Sequence, residues 1–130
     1  MGIFRKKERS RVTTDRDARS PQTGIKYKDL RIVQDLMLDG ADLTTRRHVA
    51  YYVSLPDEST ARYAAEHIRL RGFTVRIGTP ESPGRNRWTL RCDRHGVVLD
   101  VETVRSNADY FDALAVWYQG WFDGWESSYR

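Results

Sequence analysis

The chain has 130 residues, of which 39% are hydrophobic, and its formal net charge is +4 at pH 7. This length and apolar content are sufficient for one compact domain. The single cysteine, Cys92, excludes an internal disulfide, and no apolar run approaches the ~18 residues that a membrane span needs. Because the N-terminus is charged rather than apolar, these features together predict a soluble, cytoplasmic protein.

The positive charge is concentrated in residues 1–24. They contain seven Lys or Arg and three Asp or Glu, whereas the remaining residues contain fifteen of each. After Phe4 this segment has almost no large apolar side chain, so it buries too little surface to offset the entropy of ordering. The sequence therefore predicts a disordered basic tail over residues 1–24 and one folded domain over residues 25–130.

The first predicted helix, residues 28–40, carries four apolar side chains near helical spacing: Leu30, Val33, Met37 and Leu38. Asp29 is a suitable N-cap residue for it, and Gly40 is a suitable stop. The pattern predicts a short amphipathic helix that packs on the rest of the domain.

Residues 47–55 alternate between apolar and other side chains, which predicts a strand. Its inward side chains are Val49, Tyr51, Val53 and Leu55. Asp57 then precedes a helical run that ends before Gly72 and carries a stripe of small apolar residues: Ala61, Ala64, Ala65 and Ile68. The alanines favour a helix that lies close to a sheet.

Two more strands are predicted at residues 73–77 and 87–93. Their inward side chains are Phe73, Val75 and Ile77 in one strand and Trp88, Leu90 and Cys92 in the other. Residues 79–86 contain two prolines and a glycine, which predicts a hairpin loop. Residues 94–96, Arg-His-Gly, predict a short turn after the second strand.

Asp100 is predicted to cap a long helix that ends at Gly120 and carries an apolar stripe: Val101, Val104, Ala108, Phe111, Ala115 and Tyr118. The order of elements predicts a ferredoxin-like α+β sandwich, βαββαβ, with an extra N-terminal helix. Its fourth strand has to come from residues 121–128. Within them, residues 122–126 also contain the Asp-Gly dipeptide typical of a turn.

Several short motifs resemble the RraB family, the protein inhibitors of the endoribonuclease RNase E. They are Gly40-Ala41-Asp42-Leu43, Leu55-Pro56-Asp57, Arg71-Gly72-Phe73 and Asp123-Gly124-Trp125-Glu126. The resemblance covers about residues 30–127 and implies a ferredoxin-like, non-catalytic protein that binds and inhibits or modulates an RNase E/G-type endoribonuclease. Two features depart from the family pattern: Phe122 replaces a more frequent Tyr, and this domain is neutral where the best-known members are acidic.

Two residue pairs have spacings that suit chemistry, Cys92 with His95 and Asp123 with Glu126. Structural roles are favoured for both pairs, because an inward Cys92 is a buried thiol and Asp-Gly is a turn dipeptide. Two ligands do not make a zinc site, and the chain has no phosphate-binding loop or nucleophile elbow. The sequence therefore predicts no catalytic residue, no metal and no cofactor.

The open face of the predicted sheet is rich in arginine, and arginine and tyrosine are favoured at protein interfaces. With the terminal aromatic segment it gives the predicted partner-binding residues: Tyr52, Arg76, Arg87, Arg91, Trp121, Asp123, Trp125 and Glu126. Trp121 and Trp125 are expected to divide between closing the core and forming this surface. The alternative is a small RNA-associated module that uses the Arg-rich face and weak contacts of the basic tail, for which one outward aromatic offers little stacking.

Overall fold

The computed structural model describes residues 17–80 and 87–128. Its elements in chain order are α1 (Tyr27–Leu38), β1 (Arg47–Leu55), α2 (Glu58–Leu70), β2 (Thr74–Gly78), β3 (Trp88–Val97), α3 (Val101–Trp117) and β4 (Trp121–Ser127). The strands form one antiparallel sheet in the order β2-β3-β1-β4. The fold is ferredoxin-like α+β, as the sequence predicts, and the predicted fourth strand is confirmed.

The core lies between one face of this sheet and the helices. The four predicted inward residues of β1 and the predicted small-residue stripe of α2 are all buried, with exposed fractions of 2% or less. Phe111 of α3 is fully buried, and its ring stacks on Tyr51 with the ring centroids 4.5 Å apart. The predicted cap at Asp100 is confirmed, since it accepts a hydrogen bond from the Thr103 amide, and Asp57, just before α2, caps that helix by accepting one from the Thr60 amide.

The predicted turn at residues 94–96 is wrong, because β3 continues to Val97. Val49 of β1 pairs with Arg94 and Arg47 pairs with Val97, so β3 contains one extra residue between these pairs. Gly96 has a φ of +72°, a conformation that glycine adopts without steric cost. The histidine and glycine that predicted a turn therefore form a β-bulge.

The predicted turn at residues 122–126 is a second β-bulge, inside β4. Tyr52 pairs with Gly124 and Val53 pairs with Phe122, which leaves Asp123 as the extra residue. Gly124 has a φ of +115°. Because a bulge reverses the alternation of side chains, Trp121 points away from the helices while Trp125, four residues later, points toward them.

Helix α1 differs from its prediction. Lys26, not Asp29, occupies the N-cap position, and Asp29 is 2% exposed inside the helix. Of the predicted apolar face, Met37 and Leu38 are 58% and 84% exposed, and the buried residues of α1 are Asp29 and Leu36. The helix therefore docks through a narrow stripe that includes a carboxyl group.

Helix α3 ends at Trp117, three residues before the predicted stop at Gly120. Its buried stripe includes Leu114, whereas Val101 at its start is 47% exposed. Gly120 lies against the central strand: a Cβ atom there would be 2.2 Å from the backbone oxygen of Ser54. The turn between α3 and β4 therefore depends on a residue without a side chain.

Residues 17–24, which the sequence assigns to the tail, contact the domain. The Arg19 guanidinium is 2.7 Å from the carboxylate of Asp109 on α3, and the Tyr27 amide donates to the Ala18 carbonyl. Residues 1–16 of the predicted tail and residues 81–86 of the predicted hairpin loop lie outside the described residues. The division of the chain at residue 24 stays a prediction.

The edge strand β2 is tied to the helix before it. Arg69, in the last turn of α2, donates a hydrogen bond of 3.0 Å to the backbone carbonyl of Val75. Among the helices in residues 17–80 and 87–128, none has the length and apolar character needed to cross a membrane.

Candidate partner-binding face

The face of the sheet opposite the helices is formed by alternate residues of all four strands, and we call it the open sheet face. Its members follow from the strand register: Thr74 and Arg76 in β2; Thr89, Arg91, Asp93 and His95 in β3; His48, Ala50, Tyr52 and Ser54 in β1; Trp121, Asp123 and Glu126 in β4; and Arg87 just before β3. Ala50 and Ser54 are nearly completely buried although they lie on this face. The longer side chains around them therefore form a continuous layer.

Asp93 organises the half of this face that β2, β3 and β1 form. Its carboxylate is 2.9 Å from Nε of Arg91, 3.6 Å from the guanidinium of Arg76 and 3.4 Å from Nε2 of His48. The hydrogen bond to Asp93 raises the pKa of Arg91 above its already high value. Two of the predicted partner-binding arginines, Arg76 and Arg91, therefore pair with one carboxylate.

The predicted set omits Asp93, although the sequence contains a signal for it. Asp93 follows Arg91 by two residues in the same strand, so strand alternation already places both on one face. The pairing with Arg76 and His48 joins three strands and cannot be read from local spacing.

The β4 half of the open sheet face links aromatic, acidic and basic side chains. The Tyr52 hydroxyl donates to Glu126 at 2.6 Å, and this hydrogen bond is the main cause of the raised pKa of Tyr52. The Ser54 hydroxyl donates to the carboxylate of Asp123. The Arg87 guanidinium lies 4.1 Å from the centroid of the Trp121 ring, which is a cation–π contact.

Charge on the open sheet face is balanced. Three arginines, Arg76, Arg87 and Arg91, lie with three carboxylates, Asp93, Asp123 and Glu126. The arginines predicted for this face are therefore accompanied by an equal number of carboxylates. The bulge in β4 places Glu126 on the same side as Asp123, whereas strict alternation would put these two residues on opposite faces.

Seven of the eight predicted partner-binding residues lie on or beside the open sheet face, and Trp125 does not. It is 6% exposed, pairs with Tyr51 of β1, and its indole N–H donates to Asp29 at 3.0 Å. The other carboxyl oxygen of Asp29 has no hydrogen-bond partner among the described residues. Of the two tryptophans, Trp125 is therefore the one that closes the core. Burial also raises the pKa of the Asp29 carboxyl group.

Asp29→Asn is expected to change how stability depends on pH. In the folded protein the pKa of Asp29 is raised above 3.8, the value expected in the unfolded chain. The contribution of Asp29 to stability is therefore complete below pH 3.8, and it is lost as the pH rises through the folded-state pKa. Asparagine keeps an acceptor for Trp125 and does not ionise. The free energy of unfolding of the wild type, minus that of the variant, should therefore fall as pH increases, measured by urea denaturation from acidic to neutral pH.

The matched control is Asp35→Asn, the same change at an exposed site of α1. A wild-type advantage over Asp29→Asn that grows with pH would contradict the assignment of a buried carboxyl group at this position.

The two residue pairs with chemical spacing are not brought together as reactive groups. Cys92 is fully buried on the helix side, and burial raises the pKa of its thiol to about 12, whereas His95 lies on the open sheet face beside His48. Asp123 and Glu126 bond to different hydroxyl groups, those of Ser54 and Tyr52. In residues 17–80 and 87–128, no cluster of three or more His, Cys, Asp or Glu side chains is arranged to hold a metal ion.

Comparison with known proteins gives one family. The model of the family described as "Regulator of ribonuclease activity B", RraB, matches residues 27–127. The matched range begins with α1 and ends with β4, so it includes the open sheet face and the core beneath it. No curated protein gives a significant match to the chain.

Proposed function

The chain belongs to the RraB family of regulators of ribonuclease activity, and we propose that it binds an RNase E/G-type endoribonuclease through the open sheet face. Bound there, the domain lowers or modulates RNA cleavage by covering part of the ribonuclease or by displacing other proteins from it. This role requires no chemistry from the chain itself, and it takes place in the cytoplasm, where RNA is degraded.

The observation that carries this proposal is the linked set of aromatic, basic and acidic side chains across the open sheet face. Trp121 is 47% exposed at the β4 edge, with Arg87 stacked on its ring. Trp, Tyr and Arg are the residue types that contribute most to protein interfaces. Because neighbouring contacts already fix these side chains, little rotamer entropy would be lost on binding.

The same contacts favour a protein partner over RNA. A surface that binds phosphates carries an excess of positive charge, and here three carboxylates balance three arginines. Single-stranded RNA also needs free aromatic planes, whereas Arg87 covers Trp121 and Arg91 lies 5.7 Å from the ring centroid of Tyr52. Any RNA contact is therefore left to the basic residues of the N-terminal segment.

Trp121→Ala is expected to weaken binding to the ribonuclease about tenfold or more, because an exposed Trp stacked on Arg has the properties of an interface hot spot. Calorimetric titration of the full chain with the regulatory region of the host RNase E/G-type enzyme measures the change. Leu38→Ala is the matched control, since Leu38 is 84% exposed on α1 and outside the open sheet face. Equal affinities of the two variants, or no binding by the wild type, would refute the proposal.

A parallel RNA titration separates the alternative function. Filter binding of the full chain to single-stranded RNA across a salt series is expected to show weak affinity that Arg76→Ala and Arg91→Ala leave unchanged. Tight, salt-dependent binding that these two substitutions abolish would favour the RNA-associated module instead.

A further inference from the structure

Four large apolar side chains are exposed on α2 and at the C-terminal end of α3. Tyr63 and Leu70 are 70% and 89% exposed on α2, and Val116 and Trp117 are 78% and 81% exposed in the last turn of α3. Residues seven apart lie on the same side of a helix, so Tyr63 and Leu70 form one ridge. We call these four residues the helix-face patch. His67, which lies between Tyr63 and Leu70 on α2, lines the same groove as Trp117, so the two pairs are neighbours, and grouped apolar surface marks interaction sites in soluble proteins.

A groove of about 200 Å³ runs between α2 and α3 beside this patch. Its lining residues are His67, Tyr110, Ala113, Leu114, Trp117 and Tyr118. Nδ1 of His67 lies 2.7 Å from the Tyr110 hydroxyl, and the Arg71 guanidinium covers the Tyr110 ring at 4.2 Å. The polar groups at this end therefore satisfy one another. The groove is smaller than the ~300–1,000 Å³ of small-molecule sites, so it suits one large side chain.

The charges near the patch indicate what kind of partner it fits. On α2, Arg62 pairs with Glu58 and Arg69 pairs with Glu66, so the charged residues of this helix neutralise each other locally. A neutral, apolar surface neither attracts a nucleic acid nor selects a charged peptide. A second copy of this chain presents the same charge-paired α2 surface, and Arg71, the cation beside the groove, is stacked on its own Tyr110.

The shape of the patch suits pairing of two identical copies. Trp117 projects from the end of α3 and also forms one wall of the groove. In a two-fold symmetric interface the same surface meets itself, so each projecting side chain meets the neighbouring depression of the other copy. Two Trp117 rings would then contact each other close to the symmetry axis.

We propose that the chain forms a symmetric dimer through the helix-face patch, with Trp117 of each copy in the groove of the other. The two aromatic patch residues, Tyr63 and Trp117, present ~150–250 Å² each, and with Leu70 and Val116 the patch offers roughly 500 Å² of apolar surface per copy. A standard interface buries ~800 Å² per partner and is ~65% apolar in homodimers, which also requires roughly 500 Å². The dimer leaves both open sheet faces uncovered and makes the regulator bivalent.

Sedimentation velocity of the full chain over a concentration series tests the dimer. The wild type is expected to shift from one chain mass to twice that mass, and Trp117→Ala is expected to raise the midpoint concentration at least tenfold. Trp121→Ala is the matched control, because it removes the same side chain from the opposite face of the domain and should leave the midpoint unchanged. Ala113→Glu, which puts a charge into the groove, should act like Trp117→Ala.

The proposal is overturned if the wild type stays monomeric up to submillimolar concentration, if Trp117→Ala associates as the wild type does, or if Trp121→Ala is the variant that separates the copies. Circular dichroism melting of each variant verifies that it is folded. Because no ribonuclease is present in this experiment, its result is independent of the proposed function.

Discussion

Trp125→Ala is expected to lower the free energy of unfolding by about 3–5 kcal/mol, the range for removing a large aromatic side chain from a core. Trp125 is 6% exposed, and its ring centroid lies 6.2 Å from that of Tyr51. The substitution also removes the donor to Asp29, whose carboxyl group then has no hydrogen-bond partner on either oxygen within residues 17–80 and 87–128. Urea denaturation followed by circular dichroism measures the loss.

Trp121→Ala is the comparison for this experiment, because Trp121 is 47% exposed and four residues away in the same strand. Its loss should cost about 1 kcal/mol or less, mainly the cation–π contact with Arg87. Trp125→Phe keeps a ring and removes the indole N–H, so it isolates the contribution of the hydrogen bond. Similar losses from both alanine substitutions would mean that the bulge in β4 is misplaced and that the two tryptophans share one face.

Gly120→Ala is expected to destabilise the protein by about 3 kcal/mol through overpacking. The added Cβ atom would lie 2.2 Å from the Ser54 carbonyl oxygen and 2.6 Å from Cδ2 of Leu55. Ser54 is held in the central strand, where it pairs with Thr89 on one side and Trp121 on the other. Neither the strand nor the turn can move away without loss of sheet pairing, and thermal unfolding should show a lower Tm.

Gly78→Ala is the matched control, because the nearest atom to its added Cβ, at 2.6 Å, is the hydroxyl oxygen of Thr89. That side chain can rotate to another rotamer, so a cost under about 1 kcal/mol is expected. A Gly120→Ala protein as stable as Gly78→Ala would show that the turn between α3 and β4 is free to shift.

Elements whose signals are local were predictable from the sequence. The alternation in β1, the alanine stripe of α2 and the aspartate cap at Asp100 depend on residues within one turn or one strand. Asp29 shows where such signals fail. Its position before an apolar run is typical of an N-cap, but its hydrogen-bond partner, Trp125, is 96 residues away.

The candidate site was predictable as far as strand alternation determines a face. The prediction from alternation fails at β4, where strict alternation would place Trp121 and Trp125 on the same side of the sheet. One extra residue, Asp123, separates them, and it also brings Asp123 and Glu126 together on the open sheet face. The sequence contains the Asp-Gly dipeptide at this point, but only pairing with β1 decides whether it makes a turn or a bulge.

The hydrogen bond from Arg69 to Val75 bears on how the protein avoids aggregation. An edge strand offers unpaired backbone groups to other chains and is a common starting point for cross-β assembly. In β2 the Val75 carbonyl already accepts a hydrogen bond from the Arg69 guanidinium, so it is not available to a second strand. A strand of another molecule that pairs with β2 at this point would have to displace the guanidinium, which disfavours growth of the sheet at this edge.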